Sequence, residues 1–167
     1  VTDFVIPGKS NGVVVPFSSR YTGNNGYVTI TYDDVQETPA TGIVTFEGAV
    51  SDGDIVTIGT RVYEFDTDAN PGDITAGRVR VDVSDVATAS AAVTALVTAI
   101  NGDTSAVVTA ADGEPDTVVV TAKNTYSGSA GNTIVFTKNG ENIVVDGDGT
   151  LSNGADSLTM AAFRNTR

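Results

Sequence analysis

The chain has 167 residues, with 9 Lys+Arg against 21 Asp+Glu, a formal net charge of -12, and no His, Cys or Trp. These absences exclude a Ser-His-Asp triad, a thiol nucleophile and the usual zinc, haem or iron–sulfur ligation, and they leave no disulfide to report a redox compartment. So acidic a chain is also ill suited to phosphate backbones or anionic membranes, which attract basic patches.

In chain order, residues 1–41 come first and read as an extended N-terminal arm. Pro7, Gly8, Gly12, Pro16, Gly23, Gly26 and Pro39 interrupt it, yet Phe4, Val5, Ile6, Val13, Val14, Val15, Phe17, Tyr21, Tyr27, Val28, Ile30 and Tyr32 make it apolar. Disordered tails are depleted in such residues. An apolar segment of this kind lies against something, either the domain's own sheet, with Gly26 to Tyr32 as an added strand, or another subunit. Phe4, Val5, Ile6, Val13, Val14, Val15, Phe17 and Tyr21 are therefore the candidate intersubunit contacts. The start, Val1 to Pro7, has neither a basic n-region nor an apolar h-region, so no signal peptide is expected in it. The apolar stretches of the chain are only a few residues long, and no membrane-spanning helix is expected.

Residues 42–156 read as one β-rich domain. Gly42 to Gly48 predicts a strand. Ile55–Ile58 and Arg61–Phe65 predict two more, joined by the two-residue turn Gly59-Thr60 that suits a hairpin. Alternation puts Tyr63 and Phe65 on one face of the second strand and Val62 and Glu64 on the other. Arg78 to Val83 alternates valines with charges, the pattern of a half-buried strand. The period then changes. Val86, Ala89, Val93, Leu96, Val97 and Ile100 form a helical stripe, giving one α-helix over about residues 85–100. Ser84 or Asp85 supplies its N-cap and Asn101-Gly102 a left-handed stop. The opposite helix face, Thr88, Ser90, Ala91, Thr94 and Thr98, is small and uncharged; it is either a plain exposed face or one that packs on a neighbouring subunit. Strands resume at Ala106–Ala110, Thr117–Ala122, Thr133–Thr137 and Asn142–Val145. Asp112 to Asp116 and Lys138 to Glu141 are the turns between neighbouring pairs. Residues 157–167 form a C-terminal tail in which Leu158 to Phe163 is weakly apolar.

This pattern predicts a mainly β, α+β fold: an antiparallel β-sandwich or open barrel with one α-helix packed on it, plus the N-terminal arm. The charge is uneven. Residues 42–150 carry 16 acids and 5 bases, while residues 1–41 carry 4 and 2 and residues 151–167 carry 1 and 2. The acid is thus the coat of the domain, and the two ends are nearly neutral.

Carboxylates are the abundant reactive groups. Asp146-Gly-Asp148-Gly resembles the start of a calcium loop, but Thr150 and Ser157 stand where the later acidic ligands are needed. Asp52-Gly-Asp54 and Asp66-Thr-Asp68 are as short, and aspartates beside turns usually bond loop backbone. Glu47 and Glu64 sit mid-strand among aromatics, yet alternation puts both on polar faces, which is unlike the facing carboxyls of a glycosidase. Asn124 to Asn132 is Gly-rich but lacks the Lys and following helix of a phosphate loop. Arg78 and Arg80 are the one local basic pair. No catalytic residue, metal ligand or cofactor is expected, and the chain does not read as an enzyme.

Seven elements stand in one order: Gly42-Ile-Val-Thr-Phe-Glu-Gly48, Asp52-Gly-Asp-Ile-Val-Thr-Ile-Gly59, Tyr63-Glu-Phe65, a helix ending Ala99-Ile100-Asn101, Val118-Val-Val-Thr-Ala-Lys123, Gly128-Ser-Ala-Gly-Asn132 and Leu151-Ser-Asn-Gly-Ala-Asp156. This order resembles a module recurring in structural proteins of tailed bacteriophages, in capsid decoration and tail components, over residues 42–156. The resemblance implies a virion protein assembled in the host cytoplasm, without enzymatic activity or cofactor. Its first form is a capsid decoration (cement) protein, a small homo-oligomer bound to the major capsid protein or neighbouring virion subunits, with no direct nucleic-acid or membrane binding. A tail tube or other tail subunit is the alternative within that family. A carbohydrate-binding or adhesin domain is the alternative outside it, weakened by the lack of Trp and by Tyr21, Tyr27 and Tyr32 lying in the arm.

Overall fold

The computed structural model describes residues 2–5, 14–17, 37–68, 70–85 and 88–157, the first two stretches as backbone. The chain divides into two compact units, Val1–Val35 with Leu158–Arg167, and Gln36–Ser157. In the first, strand β1 (Thr2–Val5) pairs antiparallel with β2 (Val14–Phe17), setting Phe4 opposite Val15 and Val5 opposite Val14.

The second unit holds two four-stranded sheets and one α-helix. Its strands are β3 (Thr41–Phe46), β4 (Ile55–Ile58), β5 (Arg61–Asp66), β6 (Val79–Asp82), β7 (Val108–Gly113), β8 (Thr117–Ala122), β9 (Phe136–Asn139) and β10 (Ile143–Val145), with helix α1 (Ala89–Gly102) between β6 and β7. One sheet runs β10-β3-β8-β7 and the other β6-β5-β4-β9. This is the mainly β, α+β fold that the sequence predicts. The core lies between the sheets. Val44, Phe46, Val118 and Val120 meet Val56, Ile58, Tyr63, Phe65 and Phe136, all but fully buried, and α1 adds Ala92, Val93, Leu96 and Ile100. Phe46 and Phe65 join the sheets edge-to-face, centroids 5.7 Å apart. Helix α1 packs on β7 and β6, the outermost strands of the two sheets, and reaches β3, β8 and β5.

Residues 149–155 lace the sheets together along the opposite side. Phe136 N–H donates to Gly149 O and Leu151 N–H to Ile134 O, extending the β9 edge. Thr41 exchanges both backbone bonds with Ser152, and Thr38 with Ala155, extending the β3 edge. Thr38, Ala40 and Thr41 therefore belong to the domain and not to the arm that the sequence extends to residue 41. Gly42 is required at this seam, because a Cβ there would stand 2.6 Å from Leu151 Cδ2 and 2.7 Å from Phe136 Cε1.

Several expectations need correction. Strand β6 runs parallel to β5, not antiparallel. The connection from 67 to 78 folds back over the sheet before β6 begins, so the chain re-enters in the same direction. The turn at Lys138 to Glu141 is not a hairpin, since β9 pairs with β4 and β10 with β3, and the chain changes sheet there. The helix starts later than the N-cap at Ser84 or Asp85 implies. The Ser84 hydroxyl is already bonded to Asp82 at 2.6 Å, and Thr88 caps α1 by accepting from the Ala91 N–H. Nor does the helix end on a left-handed residue. The Asp103 N–H closes it on Ala99 O and Ile100 O, and Asn101 is spent elsewhere. Its side-chain amide donates to Ala110 O and accepts from Ala110 N–H, which pins α1 to β7 and blunts that edge.

Candidate functional site

Three buried or half-buried acids hold the domain's polar interior. Asp66 on β5 is fully buried and receives Arg80 Nε from β6 and the Asp68 N–H. Burial pushes its carboxyl up, but the hydrogen bonds and charge of Arg80 outweigh burial and hold it below the usual carboxylate range. Asp103, just past α1, accepts from Arg61 Nε at 2.6 Å, from the Ser105 N–H and from the Tyr63 hydroxyl at 3.4 Å. Burial again opposes ionisation there and Arg61 prevails, leaving the group depressed. Tyr63 is displaced upward, first by burial and then by the adjacent Asp103 charge. Glu64 corrects the alternation rule, which places it in solvent. It is 6% exposed because the 67–78 connection covers it, giving it the Thr75 N–H, the Thr75 hydroxyl and Arg78 Nη1. Glu47 is exposed, as alternation predicts. Each buried acid is thus matched by an arginine of its own domain.

The turn aspartates bond loop backbone. Asp52 accepts from the Thr67 N–H, Asp68 from the Asn70 N–H and Asp54 from the Ser51 N–H. Asp146 accepts from the Ile43 N–H at 2.6 Å, finishing the β3–β10 ladder with a side chain. The carboxylates of Asp52, Asp66 and Asp68 come within 4.8 Å of one another, but Arg80 already sits on Asp66, and the arrangement is that of a fastened loop. The Gly-rich stretch forms two 3-10 turns, Asn124–Tyr126 and Gly128–Thr133. Ser129 donates through its N–H and hydroxyl to Asp156, while the Asn132 amide exchanges two hydrogen bonds with Gly154. All five basic side chains among the described residues, Arg61, Arg78, Arg80, Lys123 and Lys138, are bonded within the domain.

The two sheets differ in what they present outward. The outer face of β6-β5-β4-β9 carries Glu64, Asp66, Arg80 and Asp82 on its β5–β6 half, where Thr75 and Arg78 close over Glu64, and Ile55, Thr57, Val62 and Thr137 on the rest. The outer face of β10-β3-β8-β7 carries one charge within its register rows, Asp146 opposite Ile43. One row is Val144, Thr45, Thr117 and Gly113; the next is Ile43, Val119 and Ala111; the third is Ser152, Thr41, Thr121 and Thr109. Ile43 and Val144 are 39% and 41% exposed. Other acids stand around this area: Glu47 beyond Thr45, and Glu114 and Asp116 in the β7–β8 turn. A sequence signal for it exists in the paired Thr-x-Ile-x-Thr of 41–45 and Thr-x-Val-x-Thr of 117–121, read above as plain strands. Beside β6 a third surface, a groove of about 500 Å³, runs between Arg80 and Asp82 and the helix residues Ala91, Ala95 and Ala99. The Thr94 and Thr98 hydroxyls there turn back to the Ser90 and Thr94 carbonyls.

Of the candidate contacts in the arm, Phe4, Val5, Val14, Val15 and Phe17 lie in the β1–β2 pair, where Thr2 stands opposite Phe17. Ile6, Val13 and Tyr21, and the expected strand from Gly26 to Tyr32, lie outside the described residues, as does the tail from Leu158. Among the described residues no helix is long and apolar enough to cross a membrane. Compared with known proteins, the chain matches no family model and no curated sequence.

Proposed function

We propose that this chain is a virion structural protein of a tailed bacteriophage, a capsid decoration protein that binds the outer surface of the shell and stabilises it by assembly alone. The observation that carries the proposal is the division of the chain into a self-contained acidic domain, Gln36–Ser157, and a separate unit built from both termini. A domain with its own core can stand on a particle surface while another part of the chain grips the major capsid protein or neighbouring virion subunits. The ordered motifs of residues 42–156 point the same way, and so do the buried acids, each engaged by an arginine and spent on the fold. In this role the protein needs no cofactor and no catalytic residue, and it joins the particle in the host cytoplasm.

The test is cryo-electron microscopy of purified particles with and without the protein. Density for the domain on the outer shell is expected, lost when residues 1–35 are deleted. A truncated chain that still decorates particles would remove the terminal unit from the grip. Long tubes formed by the purified protein would move the assignment to the tail tube.

A further inference from the structure

We propose that Asn139 is a modification site, at which the folded chain deamidates itself in preference to the other Asn-Gly pairs of its domain.

The step consumes only water. The Gly140 backbone nitrogen gives up its proton and attacks Asn139 Cγ. The new C–N bond closes a cyclic succinimide, and the Cγ–Nδ2 bond breaks to release ammonia. Water then opens the ring at either carbonyl. The product is aspartate at residue 139 or, with the main chain rerouted through the side chain, isoaspartate. Amide and water become carboxylate and ammonium, and no oxidation state changes. Glycine suits the attack because it has no Cβ to crowd the nitrogen and its backbone turns easily.

The chain has five Asn-Gly pairs, of which Asn11-Gly12 and Asn25-Gly26 lie outside the described residues. The fold separates the other three. Asn101-Gly102 lies inside α1, and its side chain is held: Nδ2 donates to Ala110 O at 2.8 Å and Oδ1 accepts from the Ala110 N–H at 2.9 Å. Its Cγ cannot turn to the next peptide without breaking both bonds. At Asn153-Gly154 the nucleophile is held instead. The Gly154 N–H donates to Asn132 Oδ1 at 2.8 Å, and a Cβ on Gly154 would collide with Gly128 O, so this backbone has no room to turn. Asn139-Gly140 is free on both counts. Asn139 is exposed at the last position of β9, and neither its amide nor the Gly140 N–H has a hydrogen-bond partner among the described residues. Lys138 Nζ takes the Gly140 carbonyl at 2.7 Å, which leaves that residue's nitrogen open to attack. The pair borders a cleft of about 340 Å³, lined also by Asp54, Lys138 and Glu141, which gives the ring and its water space.

The product changes the place where the chain changes sheet. A carboxylate at 139 joins Asp54 and Glu141 around a cleft whose one cation is Lys138, and like charges brought together repel. Isoaspartate also lengthens the main chain just where Asn139 stands opposite Ile55, before the crossing to β10. Modification should therefore loosen residues 138–142 and spare the core.

The test is peptide mapping by mass spectrometry of the full chain, sampled over days in mildly alkaline buffer at physiological temperature, with fragmentation that separates aspartate from isoaspartate. Asn139 should convert several-fold faster than Asn101 and Asn153, and faster still as pH rises, because the Gly140 proton must leave. In urea, where the fold no longer holds Asn101 or Gly154, the three should converge. Hydrogen exchange of the aged chain should quicken across residues 138–142, and Asn139→Gln should keep its wild-type exchange there after the same incubation. Conversion of Asn101 or Asn153 in the folded chain as fast as that of Asn139 overturns the proposal. So does a ranking that persists unchanged in urea, which would give the selectivity to sequence and not to the fold.

Discussion

The outer faces of the two sheets solve the same problem in different ways. A sheet with one face in the core must still present the other to something. On β6-β5-β4-β9 the chain supplies the cover itself, running from 67 to 78 across the strands and fastening Thr75 and Arg78 to Glu64. On β10-β3-β8-β7 it supplies none, and the outward rows are mostly threonine, valine, isoleucine and alanine, with Asp146 at one end. Charged residues at the first face hold the domain to itself. The second face has no such cover from its own chain. Ion pairs mark the covered surface, and threonine rows mark the uncovered one.

The sharpest way to break the comparison is from inside, where the two sheets share a core. Phe65→Ala removes the ring that stands edge-on to Phe46 across the sheets and should cost about 3–5 kcal/mol. Urea unfolding followed by fluorescence and by circular dichroism should still give one transition. Two separate transitions would mean that the sheets are independent. Glu64→Ala acts on the covered face alone. Losing three hydrogen bonds to a buried carboxylate should cost on the order of 2 kcal/mol, and hydrogen exchange should quicken across residues 67–78 while β3 and β8 keep wild-type protection.

Acid should weaken the domain through the carboxylates that its own donors hold ionised. Asp66 and Asp103 are depressed in the fold, where Arg80 and Arg61 overcome burial, and Asp82 is depressed chiefly by the Ser84 hydroxyl and N–H. A depressed carboxyl contributes stability above its unfolded value of about 3.9 and loses it as the pH falls through its folded value. Melting temperature should therefore hold level above about pH 5 and fall below about pH 4, less steeply in Asp103→Asn. At the alkaline end Tyr63, displaced upward, has the opposite sign. Its contribution is full below the unfolded value of about 10 and fades as the pH rises above that. The smallest expected effect is on the open face. Thr121→Lys should change stability by no more than about 0.5 kcal/mol in urea. A cost as large as that of Glu64→Ala would show that the face is packed within the monomer.

Much of this architecture was legible in the residues. The Gly59-Thr60 hairpin, the alternation of Arg78 to Val83 and the helical stripe through Val93, Leu96 and Ile100 all follow from period and turn chemistry. What escaped depends on partners distant in sequence. Alternation alone put Glu64 in water, because the cover from Thr75 and Arg78 is a tertiary event. Asn101 looked like a helix stop, yet its amide was needed at Ala110. The parallel entry of β6 and the change of sheet after β9 leave no local mark. The motifs Gly128 to Asn132 and Leu151 to Asp156 could be read only as separate turns, though Asn132 with Gly154 and Ser129 with Asp156 make them one structure. The open face was missed for a related reason, since Thr-x-Ile-x-Thr becomes a surface only when β8 lays Thr-x-Val-x-Thr beside it.

Nuclear Overhauser spectroscopy of the full chain tests the central claim most directly, that the chain covers one sheet with its own 67–78 segment and not the other. Cross-peaks should connect the Thr75 amide and methyl with the Glu64 side chain, while the Ile43 and Val119 methyls should meet the threonine methyls of their own sheet. Absence of the Thr75–Glu64 peaks, or peaks that place residues 67–78 over Ile43 and Val119, would contradict it.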